Sequence, residues 1–238
     1  MEQVKSFYEP PAPAGLTGIK AWLLTHDHKR LALMYLWAVF FWVVLAVFLG
    51  MALRLELMFI GETIMGPEVY NSFFTLHGVI MIFLFVIPAI PAIFGNFFLP
   101  IQIGADDVFF PRLNLFSWYL YMIGGLVAVI SLFVGDGFAD TGWTFYVPFS
   151  VTTETNVSLT VTAAFILGMS SMLTGLNFVT TVHRMRVKGM GWLQIPLFTW
   201  SIYATAWVQI LATPVVSITL VLVVLERFLN IGLFDPAR

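Results

Sequence analysis

Between Val69 and Ala105 the chain runs 37 positions without a charged side chain. A helix rises about 1.5 Å per residue, and roughly 20 apolar residues cross the hydrocarbon core of a bilayer. The run therefore predicts one long membrane-spanning helix over Tyr70–Pro100, bent or broken near Pro88 and Pro91, plus a short exit loop. Inside that helix sits His77. It has no neighbouring carboxylate, so it needs a hydrogen bond, a water-filled cavity or a metal.

The rest of the chain repeats the theme. Of its 238 residues 60% are hydrophobic and 10% charged, against about 25% charged in soluble domains, and the mean hydropathy is +0.93. The class is an all-α integral membrane protein. Uncharged segments predict five spans, at about 31–53, 70–100, 113–134, 157–182 and 196–226. They form one membrane domain over 31–238, preceded by a tail and interfacial segment over 1–30. That tail holds the Pro-rich stretch Glu9–Pro13, read as extended or disordered, and Leu16–Leu24, a candidate interfacial helix. It is not a secretory signal, because the apolar span begins after residue 30 and is too long. Cysteine is absent, which removes disulfides, thiolate metal sites and iron–sulfur clusters. No nucleic-acid signature is present.

Lys and Arg set the orientation. With the N-terminus inside, the inner segments carry Lys5, Lys20, Lys29, Arg30, Arg112, Arg184, Arg186 and Lys188, and the outer ones Arg54, Arg227 and Arg238. Eight against three places the N-terminus inside and the 135–156 loop outside.

Several residues invite chemistry, each beside a plainer reading. His77 lies among Phe73, Phe74, Ile80 and Met81 at helical spacing, with Gly78 leaving room for something bulky. It is either a haem-type ligand or a packing imidazole bonded to a backbone carbonyl. Arg54 is a snorkelling end-of-helix cation or a donor to a polar cofactor substituent. Asp106 and Asp107 are solvated loop carboxylates or the start of a polar line through Asn96, Asn114, Ser170 and Ser171. Such side chains hold water files between packed helices. The two serines, with Gly168 and Gly175, also suit close helix packing. Asn156-Val157-Ser158 is a weak glycosylation match. His26, His28 and His183 sit in polar segments and are expected to be solvated or at headgroups.

In combination, these stretches resemble the largest subunit of haem–copper oxygen reductases, the cytochrome c oxidase type in particular. The matching segments are Thr25–Arg30 with Leu33–Leu36, Arg54–Leu57, Thr75-Leu76-His77-Gly78, Phe94-Gly95-Asn96, Ile103–Asp107 and Phe110–Asn114. Thr141–Thr144 with Tyr146, Ser170-Ser171 with Asn177-Phe178, Pro196–Phe198 and Phe234–Ala237 follow in family order. The resemblance implies that His77 is one axial ligand of a low-spin haem, usually haem a. It also implies that Arg54 hydrogen-bonds that haem's formyl group. Asp107, Asn96 and Asn114 match the entrance of a proton pathway, with Ser170 and Ser171 further along it. Trp143 and Tyr146 match aromatics near the oxygen-reducing site, and Glu56 a structural cation site of some members.

Three departures stand out. Asp106 replaces the family's usual Pro before Asp107, and Leu115 replaces a second Asn after Asn114. The family has at least twelve spans, whereas five are read here. No His follows residue 183, so the copper ligands, the high-spin haem ligand and the partner of His77 are expected from outside this chain. The expectation is a split or truncated subunit with a companion chain carrying the remaining helices. Subunits of the II and III type, and cytochrome c or a quinol as electron donor, are expected alongside. The protein is expected in a bacterial plasma membrane or the mitochondrial inner membrane. The lead reading is the first part of a terminal oxidase core, supplying half of the low-spin haem site and a proton inlet. A truncated non-redox scaffold or assembly subunit is the alternative. A transporter has no inverted repeat or broken-helix pair to support it.

Overall fold

The computed structural model of the chain describes residues 18–61, 64–134 and 137–234. The Pro-rich tail, Lys5, Asp136 and the terminal Asp235-Pro236-Ala237-Arg238 lie outside these ranges. Among the described residues there are five long helices: His28–Glu56, Pro67–Ile103, Pro111–Ile130, Val157–Arg184 and Leu197–Leu229. They are called the first to fifth spans. A five-residue helix, Ile19–Leu23, precedes the first span, and Phe149–Thr152 forms a single turn in the loop before the fourth. Among the described residues there is no strand, only an isolated bridge between Phe138 and Asn156. All-helical spans are what lipid allows, since each backbone polar group must find its partner without water.

Helix ends follow local chemistry. Asp27 caps the first span by accepting from the amides of Lys29 (2.9 Å) and Arg30 (3.0 Å). Pro67 and Pro111 open the second and third spans, where a missing N–H costs nothing. Gly104, at φ 73°, ends the second span in the left-handed conformation that glycine adopts without strain.

The second span is 37 residues long and is not broken at its prolines. It accommodates them with two stretches of π-helix, Ile80–Val86 and Ala89–Gly95, where the ladder shifts and, for example, the Ile87 amide reaches the Ile82 carbonyl. A proline has no N–H to offer the carbonyl four residues before it. Pro88 thereby frees the Leu84 carbonyl, and the Tyr121 hydroxyl of the third span donates to it at 2.7 Å. Pro100 frees the Asn96 carbonyl, and His28 Nδ1, at the start of the first span, bonds it at 2.6 Å. Both captures are made by buried side chains. His28, at 1% exposure, is therefore not at a headgroup as its polar segment suggested. It is part of the helix packing.

The fourth span lies between the third and the fifth. Gly175 makes the latter contact close: a Cβ there would fall 2.9 Å from the Ala206 carbonyl oxygen. One apolar core joins all five spans around Tyr35, Trp42, Leu84, Tyr121, Leu167 and Leu220. A second, around Leu99, Ile103, Phe178 and Ile202, closes the bundle at the Asp107 end. At the opposite end Arg227 donates to the carbonyls of Ser150 (3.0 Å), Thr153 (2.8 Å) and Thr155 (2.9 Å), tying the loop before the fourth span to the end of the fifth.

If Tyr121 answers for the carbonyl that Pro88 frees, Tyr121→Phe should lower the thermal stability of the purified protein by about 1–3 kcal/mol, the usual cost of an orphaned buried acceptor. Pro88→Ala restores an amide four residues after Leu84, so the same Tyr121→Phe change should cost less in that background. A double-mutant cycle with zero coupling would contradict the pairing.

Candidate functional site

His77 projects from the second span toward the first. Its Nδ1 bonds the Ala46 carbonyl at 2.9 Å. A Cβ on Gly50, one turn along, would lie 3.1 Å from its Cε1, so the imidazole fits where the first span has no side chain. With Nδ1–H donated to a carbonyl, the neutral ring keeps its lone pair on Nε2, the tautomer a metal-binding imidazole requires. The residues therefore fit a haem iron at Nε2 on that ground. Among the described residues no cluster of three or more His, Cys, Asp or Glu is arranged to hold a metal by itself. Arg54 lies one further turn from Gly50 along the first span. It is exposed and makes no hydrogen bond or ion pair with the described residues.

Gly78 does admit a bulky group, and that group is Trp143. A Cβ at Gly78 would sit 2.8 Å from Trp143 Cδ1. The loop carrying Trp143 is held down by the Gly142 amide on Thr75 Oγ1 (2.8 Å) and by Ser72 Oγ on the Phe138 carbonyl (3.2 Å). Tyr146 is 74% exposed and lies apart from Trp143's contacts with Gly78 and Phe83. Glu56 is buried and accepts from the amides of Ile64 (2.7 Å) and Met65 (3.1 Å).

At the other end, Asp107 is half-buried and Asp106 exposed. Burial pushes the Asp107 carboxyl from its ordinary 3.8 up to about 7. The Val108 amide, 2.6 Å away, pulls the other way, and Asp27 adds to the rise. Inward from this loop, Asn114 Nδ2 donates to Asn96 Oδ1 at 2.7 Å, while Asn114 Oδ1 is buried without a partner. Ser117 Oγ donates to the Asn114 carbonyl (2.7 Å) and lies 3.1 Å from Tyr35 Oη. Ser170 Oγ donates to the Ser117 carbonyl at 2.6 Å. The Thr174 hydroxyl reaches both Ser117 Oγ (3.2 Å) and the Ser170 carbonyl (3.1 Å).

Two spaces continue this line. A small one of about 20 Å³ is bordered by Tyr35, Tyr121, Ser170, Ser171, Thr174 and Gln209, enough for a single water by the usual criterion. Beyond it a cavity of about 450 Å³ lies between the second, fourth and fifth spans, with Trp143 in its wall. Ser171 Oγ and Gln209 Oε1 border both spaces and have no hydrogen-bond partner. Buried polar atoms of this kind are where internal water binds.

The structure thus joins Asn96, Asn114, Ser170 and Ser171 into one polar line that starts near Asp107 and ends at a cavity walled by Trp143. It leaves Tyr146 and Arg54 at the surface. Ser117, Thr174 and Gln209 escaped the sequence reading, and Tyr35 and Asn177 entered it only within matching segments, without a role. Ser170, Thr174, Asn177 and Thr181 recur at helical spacing on the fourth span, so this polar stripe was visible in principle. Asn177 and Thr181 anchor the loop before the third span, accepting from the amides of Phe110 (2.9 Å) and Phe109 (3.0 Å).

Comparison with known proteins bears on all of this. Residues 30–238 match the family model described as cytochrome c and quinol oxidase polypeptide I. A cytochrome c oxidase subunit 1 from Thermostichus vulcanus is 36% identical over 211 residues, covering 88% of this chain and 38% of that protein. A probable cytochrome c oxidase subunit 1-alpha from Streptomyces coelicolor is 37% identical over 91% of the chain and 38% of its own length. The subunit 1 of Corynebacterium efficiens is 34% identical over 96% of the chain and 40% of its own length. The chain thus spans about two fifths of the length of these relatives.

The raised pKa of Asp107 has a stability consequence with a definite sign. The folded protein holds this proton more tightly than the unfolded chain, so wild type loses stability as pH rises from 3.8 to about 7. Asp107→Asn should be progressively more stable than wild type across that window, with a constant difference above it. Thermal denaturation midpoints at a series of pH values check this. A difference that shrinks with rising pH would contradict the burial of the carboxyl.

Proposed function

Since the chain belongs to the cytochrome c and quinol oxidase polypeptide I family, we propose that it forms part of a terminal oxidase core, contributing one side of a low-spin haem site and a proton inlet. The observation that carries this reading is His77, whose Nδ1 is committed to the Ala46 carbonyl at 2.9 Å and whose Nε2 is left as a ligand. The haem, of the a type, supplies one-electron transfer when bound. His77 would hold its iron through Nε2, and Arg54 would donate to its formyl group. The carbonyl bond fixes the imidazole's orientation and raises its basicity. The other ligand of that haem, and the ligands of the high-spin haem and copper, would come from the part of the polypeptide I core that these residues do not span. Subunits of the II and III type complete the complex, with cytochrome c or a quinol as donor.

In this reading residues 31–238 are the membrane domain and 1–30 a tail on the inner side of a bacterial plasma membrane or the mitochondrial inner membrane. Asp107 takes protons from that inner side. Near pH 7 it exists in both protonation states, so it both accepts a proton and releases it. Asn96 and Asn114 orient water at the mouth. The hydroxyls of Ser117, Tyr35, Thr174 and Ser170 rotate between acceptors, which suits a proton relay better than fixed amides do. Ser171 and Gln209 hold water where the line meets the cavity, and Trp143 walls the cavity on the far side.

Replacing His77 by Ala in the assembled complex should abolish the low-spin haem absorption while leaving the chain membrane-inserted; an unchanged spectrum would defeat the ligand assignment. Asp107→Asn should leave haem reduction fast and slow turnover by at least about tenfold, because an amide carries no exchangeable acid proton. Wild-type turnover should also fall off above about pH 7, where Asp107 ionises, an inflection the variant should lack. The same profile in both proteins would place proton entry elsewhere.

A further inference from the structure

The end of the fourth span and the segment joining it to the fifth carry three cations, Arg184, Arg186 and Lys188, and no acidic residue occurs between Glu154 and Glu226. Gly104 packs on this segment, where a Cβ on the glycine would fall 3.2 Å from the Cβ of Val187. Asp106 and Asp107, two and three positions on, nevertheless make no ion pair with Arg184, Arg186 or Lys188. Arg186 is stacked 3.8 Å over the Trp192 ring. Trp192 is fixed in turn: its carbonyl accepts from Trp200 Nε1 at 3.1 Å, and His183 Nε2 bonds Tyr203 Oη at 2.9 Å beside it. Trp200, Tyr203 and Trp207 then continue along the fifth span as an aromatic ridge, with ring centroids 5.6 and 6.3 Å apart. Leu193 and Leu197, at 98% and 85% exposure, flank its start. A space of about 520 Å³ opens beside His183 and Arg184.

We propose that this corner binds one anionic phospholipid, its phosphate on Arg184 and Lys188 and an acyl chain along the Trp200–Tyr203–Trp207 ridge. The position decides the occupant. The cations stand where two spans end, at headgroup depth, and the ridge runs from there into the hydrocarbon. Unpaired cations beside aromatic rings, with apolar side chains facing outward, match an amphiphile with a negative head. Arg186, held against Trp192, is a positioning residue for the ring cluster.

The test uses the intact complex in nanodiscs of phosphatidylcholine doped with photoreactive phosphatidylglycerol, with crosslinks mapped by mass spectrometry. Labelling should concentrate between His183 and Trp207. It should fall about fivefold for each cation removed in Arg184→Gln and Lys188→Gln, and Arg184→Lys should restore most of it. Photoreactive phosphatidylcholine should label the segment only at background. Equal labelling by the two lipids, no loss in the double variant, or a segment shielded from lipid by another subunit would each overturn the proposal.

Discussion

Pro88 and Pro100 each remove an amide from the interior of the second span, and side chains of other spans answer both losses. In hydrocarbon an unpaired carbonyl costs several kcal/mol, more than any single apolar contact returns. Pro88 and Pro100 create the vacancies at Leu84 and Asn96, and side chains from two other spans fill them. Tyr121 ties the third span to the middle of the second, and His28 ties the first span to its end. The prolines thus convert one helix's internal pairing into bonds between helices. Apolar side chains alone give little such direction in a lipid that is as apolar as they are.

The same bonds determine where the polar line runs. His28 bonds the carbonyl of Asn96, the residue whose Oδ1 receives Asn114. The third span, docked through Tyr121, presents Ser117 to Tyr35 of the first span and to Ser170 and Thr174 of the fourth. Each interaction is worth about 1 kcal/mol. Their joint effect is to hold hydroxyls within reach of one another while leaving Asn114 Oδ1, Ser171 Oγ and Gln209 Oε1 unsatisfied. A chain in which every polar atom were paired would pack more firmly and carry no water.

Much of this was legible in the sequence because it rests on composition and helical period. The five spans follow from uncharged runs, and the room beside Gly78 from the absence of a side chain. What escaped depended on partners far along the chain. Nothing local distinguishes His28 from a headgroup histidine, since its partner lies 68 residues away. Tyr35 and Ser117 are likewise ordinary residues until the first and third spans meet. Pro88 and Pro91 predicted a bend or break; the helix runs on through π turns, and the Tyr121 hydroxyl takes the Leu84 carbonyl. The separation of Asp107 from Asp106 is also tertiary: adjacent carboxylates differ because only one is drawn into the loop's packing against the first and fourth spans.

The central claim is that His77 and the polar line serve one redox membrane core, the imidazole as iron ligand and the line as its water-filled inlet. An experimental density map of the assembled complex, fine enough to show ordered water, addresses both halves at once. The account expects iron on His77 Nε2 with Nδ1 still on the Ala46 carbonyl, and waters against Asn114 Oδ1, Ser171 Oγ and Gln209 Oε1. A His77 ring with Nε2 bonded to protein or lipid, beside a dry line, would contradict it.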